Sequence, residues 1–258
     1  MPELPDVEGF RRVLAEHTGE PIVSVSVHDA GVLRGVTARR LDAALRGHRF
    51  GEPRRHGKWL LVPAGGPVVL LHFGMTGSLS WHSTGEQGHR HDRVTWRLPD
   101  GELRYRDMRK LHGIRLVDDE EQADRRLADL GPDACEVSRR DLGELLSGRR
   151  GRLKPTLTDQ SVLAGLGNLL ADEICWRARI SPLRVAGGLD DAEITGLHRA
   201  MRSVLRASVR AGRVPPRATW LTGARDEPES PCPRCGTPLS GRRVSGRRTV
   251  WCRTCQPA

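Results

Sequence analysis

The chain has 258 residues, 37% of them apolar and 4% aromatic, and carries a formal charge of +10 supplied almost entirely by arginine. No apolar run approaches the ~20 residues that span a bilayer, and the acidic start Met1-Pro2-Glu3-Leu4-Pro5-Asp6 reads as no secretory signal. These features exclude a membrane-spanning chain; a basic protein of this size points to nucleic acid as partner and to the cytoplasm as its compartment.

In chain order, Pro5 and Asp6 open a helix in which Val7, Phe10 and Leu14 share one face. From Ile22 to His28 the pattern alternates, with Val23, Val25 and Val27 on one side of a half-buried strand. Thr37 is placed to cap a short helix carrying Leu41 and Leu45. Trp59–Val62 and Val68–Phe73 are strand-like runs around a Pro-Ala-Gly-Gly-Pro turn. Val94–Leu98 and Leu103–Arg106 flank Pro99-Asp100-Gly101, a hairpin signal. The texture changes near Gly131-Pro132. Ser138 caps a helix bearing Leu142, Leu145 and Leu146. Ile194, Leu197, Met201, Val204 and Leu205 recur at helical spacing between Asp190 and Ala211, and Val214-Pro215-Pro216 is expected to end that helix. The expected class is α+β, with an antiparallel β half followed by a helical half.

Six cysteines are present. Cys135 and Cys175 stand alone and are expected as buried small hydrophobes. Cys232, Cys235, Cys252 and Cys255 form C-x2-C-x16-C-x2-C, a spacing at which two tight turns chelate one metal. Four thiolates favour one tetrahedral, structural Zn2+. The module also carries Arg234, Arg242, Arg243, Arg247, Arg248 and Arg253 and no acidic residue. A zinc-stapled hairpin with that charge suits phosphate contact, although a solvated basic face would look the same.

Removal of Met1 before a small residue would leave Pro2 as the N-terminus. Its α-amine has a reference pKa near ~7.8, so roughly 10–15% is unprotonated at pH 7, far more than of a lysine. A secondary amine of this kind can attack a sugar C1′ and form an iminium. Glu3 stands beside it for proton transfer.

Here a family resemblance enters. Pro2-Glu3-Leu4-Pro5-Asp6-Val7-Glu8 resembles the opening of the formamidopyrimidine-DNA glycosylase and endonuclease VIII family. Arg54-Arg55-His56-Gly57-Lys58-Trp59 resembles its lysine hairpin, and His72-Phe73-Gly74-Met75-Thr76-Gly77 its intercalation loop. Leu153-Lys154-Pro155, Asp159-Gln160, Ala164-Gly165-Leu166-Gly167-Asn168 and Ala171-Asp172-Glu173 resemble its helix-two-turns-helix motif. Gly246-Arg247, Thr249 and the last cysteine pair followed by Gln256 resemble its zinc finger. The matches run in order over nearly the whole chain.

The resemblance implies an N-terminal antiparallel β-sandwich with flanking helices over residues 1–130, a helix-two-turns-helix domain over 131–225 and a four-cysteine zinc finger over 226–258. The implied activity is base-excision repair: a DNA glycosylase with abasic-site lyase activity, acting as a monomer on damaged double-stranded DNA at the bacterial nucleoid. Pro2 would be the Schiff-base nucleophile, Glu3 the acid/base and Lys58 an aid to β-elimination. Arg247 would grip the lesion phosphates and is linked to δ-elimination. Asn168, in a turn whose amides and following helix suit a phosphate or a helix cap, or both at once, would bind DNA with Lys154, Arg150 and His91. Because the target nucleotide must leave the stack, Met75, Arg109 and Leu111 are expected as the wedge that fills the gap.

Two stretches depart from the family pattern. Asp107-Met108-Arg109-Lys110-Leu111-His112 stands where Asp-Pro-Arg-Arg-Phe-Gly is usual, and residues 211–232 are shorter than the loop that closes over 8-oxoguanine in some members. The reading therefore keeps an oxidised-pyrimidine or abasic-site lyase beside an oxidised-purine glycosylase. A damage-binding protein without chemistry is the alternative outside the enzymes. A plain zinc-ribbon adaptor would explain the cysteines and charge but not the N-terminus.

Overall fold

The first helix, α1 (Leu4–Ala15), starts one residue ahead of the expected Pro5; proline is tolerated there because first-turn amides have no intrahelical acceptor. The computed structural model describes residues 1–227 and 229–257; Pro228 and Ala258, both within the expected zinc module, lie outside the described residues. The chain divides into two compact units, Met1–Pro2 with Asp6–Asp129, and Glu3–Pro5 with Leu130–Ala258.

The first unit holds two four-stranded antiparallel sheets. One contains β1 (Ser24–Val27), β6 (Asp92–Leu98), β7 (Gly101–Arg106) and β5 (Ser78–Ser83), in that order. The other is β2 (Arg54–His56), β3 (Trp59–Pro63), β4 (Val68–His72) and β8 (Gly113–Val117). The expected hairpins form, with Val62 opposite Val69 and Leu98 opposite Gly101. Leu60, Val62 and Leu71 from one sheet, and Val94, Trp96 and Tyr105 from the other, share one core with Val7, Leu14 and residues Leu41 and Leu45 of α2 (Ala38–Leu45). Thr37 caps α2 by accepting the Arg40 amide. The unit closes with α3 (Glu120–Leu127). The expected alternation in the first strand does not hold at its start. Ile22 is buried and Val23 is 48% exposed; the Ile22 amide bonds to His48 O and the Val23 amide to Arg97 O, ahead of the regular β1–β6 register that begins at Ser24.

The second unit is helical. Ser138 begins α4 (Arg139–Leu146) and Asp190 begins α7 (Asp191–Ala211), each through a reciprocal capping box. Between them lie α5 (Leu153–Leu157) and α6 (Asn168–Ala178). Leu142, Leu153, Ile174, Leu197, Met201 and Leu205 form its core, with Leu4 and Trp220. Gly212, at φ 64°, ends α7, ahead of the expected Val214-Pro215-Pro216; a left-handed C-cap residue satisfies the last carbonyls before the prolines are reached. Cys175 is fully buried as expected, but Cys135 is only partly so, since its carbonyl sits at the surface accepting from Arg202. A short helix α8 (Leu221–Ala224) precedes the hairpin of β9 (Ser240–Val244) and β10 (Arg247–Trp251). Cys232, Val250 and Cys252 of this module cluster with Trp176 of α6 and Leu221 of α8. Among the described residues no helix is long and apolar enough to cross a membrane.

Candidate catalytic residues and nucleic-acid interface

Glu3 is fully buried. Its carboxylate accepts three backbone N–H groups: Gly167 at 2.9 Å, Leu169 at 2.8 Å and Leu170 at 3.2 Å. Helix α6 has no side-chain cap of its own, so Glu3 supplies both the capping acceptor and the anion that a helix N-terminus favours. Of the two roles the Gly-Leu-Gly-Asn turn suits, phosphate contact and helix cap, the hydrogen bonds here serve the cap. The glycines follow from the same geometry. A Cβ at Gly167 would lie 2.2 Å from Glu3 Cδ. Gly165, at φ +112°, leaves no room for one beside Leu4, and its carbonyl accepts the Leu4 amide at 3.1 Å. Gln160 braces the loop by donating to the Thr158 and Leu166 carbonyls and accepting from the Gly165 amide. Asn168, the first residue of α6, is half-buried, and its Oδ1 has no partner among the described residues.

Lys154 is 2% exposed, which contradicts the expectation of a DNA contact. Its Nζ lies 2.7 Å from Asp172 Oδ1 and donates to the Arg248 carbonyl at 2.7 Å. Asp172, fully buried, is also 2.8 Å from Arg225 Nη2 and accepts the Val250 amide at 3.3 Å. Burial works against both charges, drawing the Lys154 pKa down and pushing that of Asp172 up. Because a guanidinium keeps its charge inside proteins, the neighbouring Arg225 favours Asp172 as a carboxylate. The cluster fixes the backbone of β10. Ser245 and Gly246 turn into that strand with φ of 48° and 76°, the paired positive φ of a two-residue hairpin turn. Arg247 follows, exposed, with Nη1 donating to Thr158 Oγ1 at 2.6 Å. Arg150 is exposed on the loop before α5.

The four cysteines of the motif come together, their Sγ atoms all within 4.8 Å of one another. Cys232–Cys255 and Cys235–Cys252 are 4.0 and 3.5 Å apart, close to the ~3.8 Å edge of a tetrahedron built on Zn–S bonds of about 2.3 Å. Trp176 Nε1 donates to Cys232 Sγ at 3.3 Å, and the Cys255 amide to Cys252 Sγ at 3.4 Å. Gln256 accepts the Cys252 amide and donates to Ile180 O, tying the last turn to the helical core. The donor set fits one structural Zn2+.

In the first unit, Lys58 sits half-buried at the turn between β2 and β3. Its charge adds to burial and to His112 in pushing the His72 pKa down to about 3. Met75 is 40% exposed and Leu111 49%. Distant in sequence, the Met75 loop and the Arg109 loop meet: Thr76 Oγ1 donates to Asp107 Oδ1 at 2.6 Å, and the Arg109 amide is 3.0 Å from Thr76 Oγ1. Arg109 Nη1 reaches Met75 Sδ at 2.9 Å. The Arg93 side chain donates to Asp107 O and to His91 Nδ1, so His91 hangs on the same frame. Burial, then Arg90 and Arg93, lower the His91 pKa.

Sequence reasoning missed Asp172 and Arg225 as a structural pair, Gln160 as a brace, and Thr76, Asp107 and Arg93 as the frame. One signal was available: Asp172 follows the apolar run Leu169-Leu170-Ala171, and an acid inside a buried helix needs a cation. The shortened 211–231 segment is anchored: Trp220, Leu221 and Arg225 are all buried.

The formamidopyrimidine-DNA glycosylase N-terminal domain matches residues 1–114, the formamidopyrimidine-DNA glycosylase H2TH domain residues 130–217, and the zinc finger found in FPG and IleRS residues 229–258. A formamidopyrimidine-DNA glycosylase of Desulfitobacterium hafniense is 35% identical, the match covering 99% of this chain and 100% of that protein. One of Symbiobacterium thermophilum is 36% identical, covering 100% and 90%. The Lactococcus lactis Fpg in complex with abasic-site DNA superposes with a TM-score of 0.90 at 26% identity over 100% of both chains. Domain matches over most of the length, these relatives and the shared fold lead to one conclusion: the chain belongs to the formamidopyrimidine-DNA glycosylase family.

Proposed function

We propose that this chain is a bifunctional base-excision-repair enzyme, a DNA glycosylase with abasic-site lyase activity that works as a monomer on damaged duplex DNA. Pro2, freed of Met1, attacks C1′ of the lesion nucleotide. The glycosidic bond breaks, the base leaves with a proton, and an iminium links Pro2 to the opened sugar. Loss of a C2′ proton then expels the 3′ phosphate, and a second elimination expels the 5′ phosphate.

The observation that carries this reading is the clamp on Glu3. Three N–H donors fix the residue next to the nucleophile, and a nucleophile held in place avoids much of the entropy of a bimolecular step. Glu3 is the acid/base for the sugar in this scheme, and Lys58 assists elimination. Arg247, Arg150, His91 and the Asn168 carboxamide take the phosphates. Met75, Arg109 and Leu111 fill the gap left by the extruded nucleotide. Lys154 acts indirectly, by seating the strand that carries Arg247. Residues 1–130, 131–225 and 226–258 are proposed as the catalytic, DNA-binding and zinc-finger parts. An oxidised-pyrimidine or abasic-site preference is the second reading, favoured by the anchored Trp220-Leu221 segment where some members carry a longer loop.

Borohydride trapping on a duplex with one abasic site tests the proposal, after mass spectrometry has verified loss of Met1. Wild type should give a covalent protein–DNA band, and Pro2→Gly little or none. Absence of the band from trimmed, zinc-loaded wild type would leave a DNA-binding protein without chemistry. A panel of oxidised purine and pyrimidine duplexes then separates the two substrate readings.

A further inference from the structure

Helix α7 carries His198, Arg199, Arg202, Arg206 and Arg210 along a solvent-open groove of about 850 Å3, with Arg217 closing it from the following segment. The arginines recur at intervals of three and four residues and so share one side of the helix. Leu197, Ala200, Met201, Val204, Leu205 and Ser208 are its buried residues, and α4 and α6 pack on it. From Ile194 to Arg225 there is no acidic residue. On other helices, three arginines pair with an acid four residues away: Arg46 with Asp42, Arg125 with Glu121, Arg140 with Glu144. Among the described residues no such ion pair involves Arg199, Arg202, Arg206 or Arg217. Arg202 and Arg206, four apart, repel, and like charges at that spacing work against a helix. Arg202 donates to the Cys135 carbonyl, whereas for Arg199 and Arg206 the fold supplies no carboxylate among the described residues.

Guanidinium forks match phosphate oxygens. The groove offers no exposed large apolar side chain to anchor a protein partner. None of its lining residues belongs to the Glu3 clamp, the zinc hairpin or the wedge loops. We infer that the outer face of α7 binds the sugar-phosphate backbone of a second stretch of duplex DNA, independent of sequence and of damage. Two duplex sites on one chain let it take hold of a new segment before releasing the first. This rests on the reading of the chain as a DNA-repair enzyme.

The test uses full-length, zinc-loaded protein. A short duplex with a stable abasic-site analogue is bound at one equivalent, and a fluorescent undamaged duplex is then titrated in. Wild type should bind this second duplex. In Arg199→Ala/Arg206→Ala, loss of two phosphate contacts should lower the log–log salt slope by about 1.8, removing about tenfold of the salt sensitivity between roughly 50 and 200 mM. The double variant should melt no lower than wild type, since it loses like-charge strain, and should excise from a short lesion duplex at the wild-type rate. No second duplex on wild type, or a second duplex bound equally by the variant, would overturn the inference. So would polyglutamate binding as tightly as DNA at equal charge. If the abasic duplex fails to bind while undamaged duplex still binds through Arg199 and Arg206, the repair reading falls and the groove assignment stands.

Discussion

The Glu3 carboxylate accepts the Leu169 amide at 2.8 Å, joining residues 166 positions apart in the chain. With the bonds from Gly167 and Leu170, it makes one side chain both the cap of α6 and the neighbour of the proposed nucleophile. Loss of Glu3 should therefore show in stability as well as chemistry. Glu3→Ala strands two buried donors and a partly buried one, at about 1–3 kcal/mol for each buried donor before relaxation, so a destabilisation of several kcal/mol is expected by denaturant unfolding. Glu3→Gln keeps one acceptor oxygen and should lose less. Gly167→Ala should mimic the damage, because its Cβ would meet Glu3 Cδ at 2.2 Å. Equal stability of all three variants would refute the clamp.

The Lys154–Asp172–Arg225 cluster makes a graded prediction. Asp172→Leu leaves two buried cations facing each other and should cost about 3–5 kcal/mol, the usual penalty for breaking a buried pair. Lys154→Met leaves Asp172 with Arg225 and should cost less. Both should loosen β10 and weaken lesion-DNA binding with zinc still bound. Chemical denaturation beside metal analysis checks this; an unchanged Asp172→Leu would show that the cluster holds nothing.

His72 should shape the acid side of the stability curve. Burial, then like charge from His112 and Lys58, lowers its pKa from 6.5 to about 3, and its Nδ1 accepts the Gly74 amide at 3.0 Å. Between these two values the unfolded chain binds a proton that the folded chain refuses, so this group's contribution to stability falls as pH drops and is constant above the upper one. The advantage of wild type over His72→Asn should be full at about pH 7.5 and smaller at about pH 4.5. Melting curves at both pH values decide it, and a gap that widens on acidification would reverse the sign.

Zinc removal should act locally first. Metal analysis should find one zinc per chain, and a strong chelator should release it while exposing four reactive thiols. Because Trp176 and Trp251 border the module, their fluorescence should change before the far-UV signal of the remaining helices. Cys252→Ser should hold zinc far more weakly. A chelator-treated chain with unaltered fluorescence would argue against a zinc-held module.

Much of this was legible in the sequence because it rests on local physics. The four-cysteine spacing, the Ser138 and Thr37 caps and the Pro99-Asp100-Gly101 hairpin depend on residues within one turn or one motif of each other. Tertiary structure alone decided the rest. Lys154 looks like a surface cation until Asp172 and Arg225 are brought beside it, which requires α5, α6 and the segment after α8 to pack. The Gly-Leu-Gly-Asn turn suits a phosphate or a helix cap until Glu3 fills it. Charge and spacing announce that a group exists, whereas its burial and partners, which set whether it binds a ligand or holds the fold, arise only when distant segments meet.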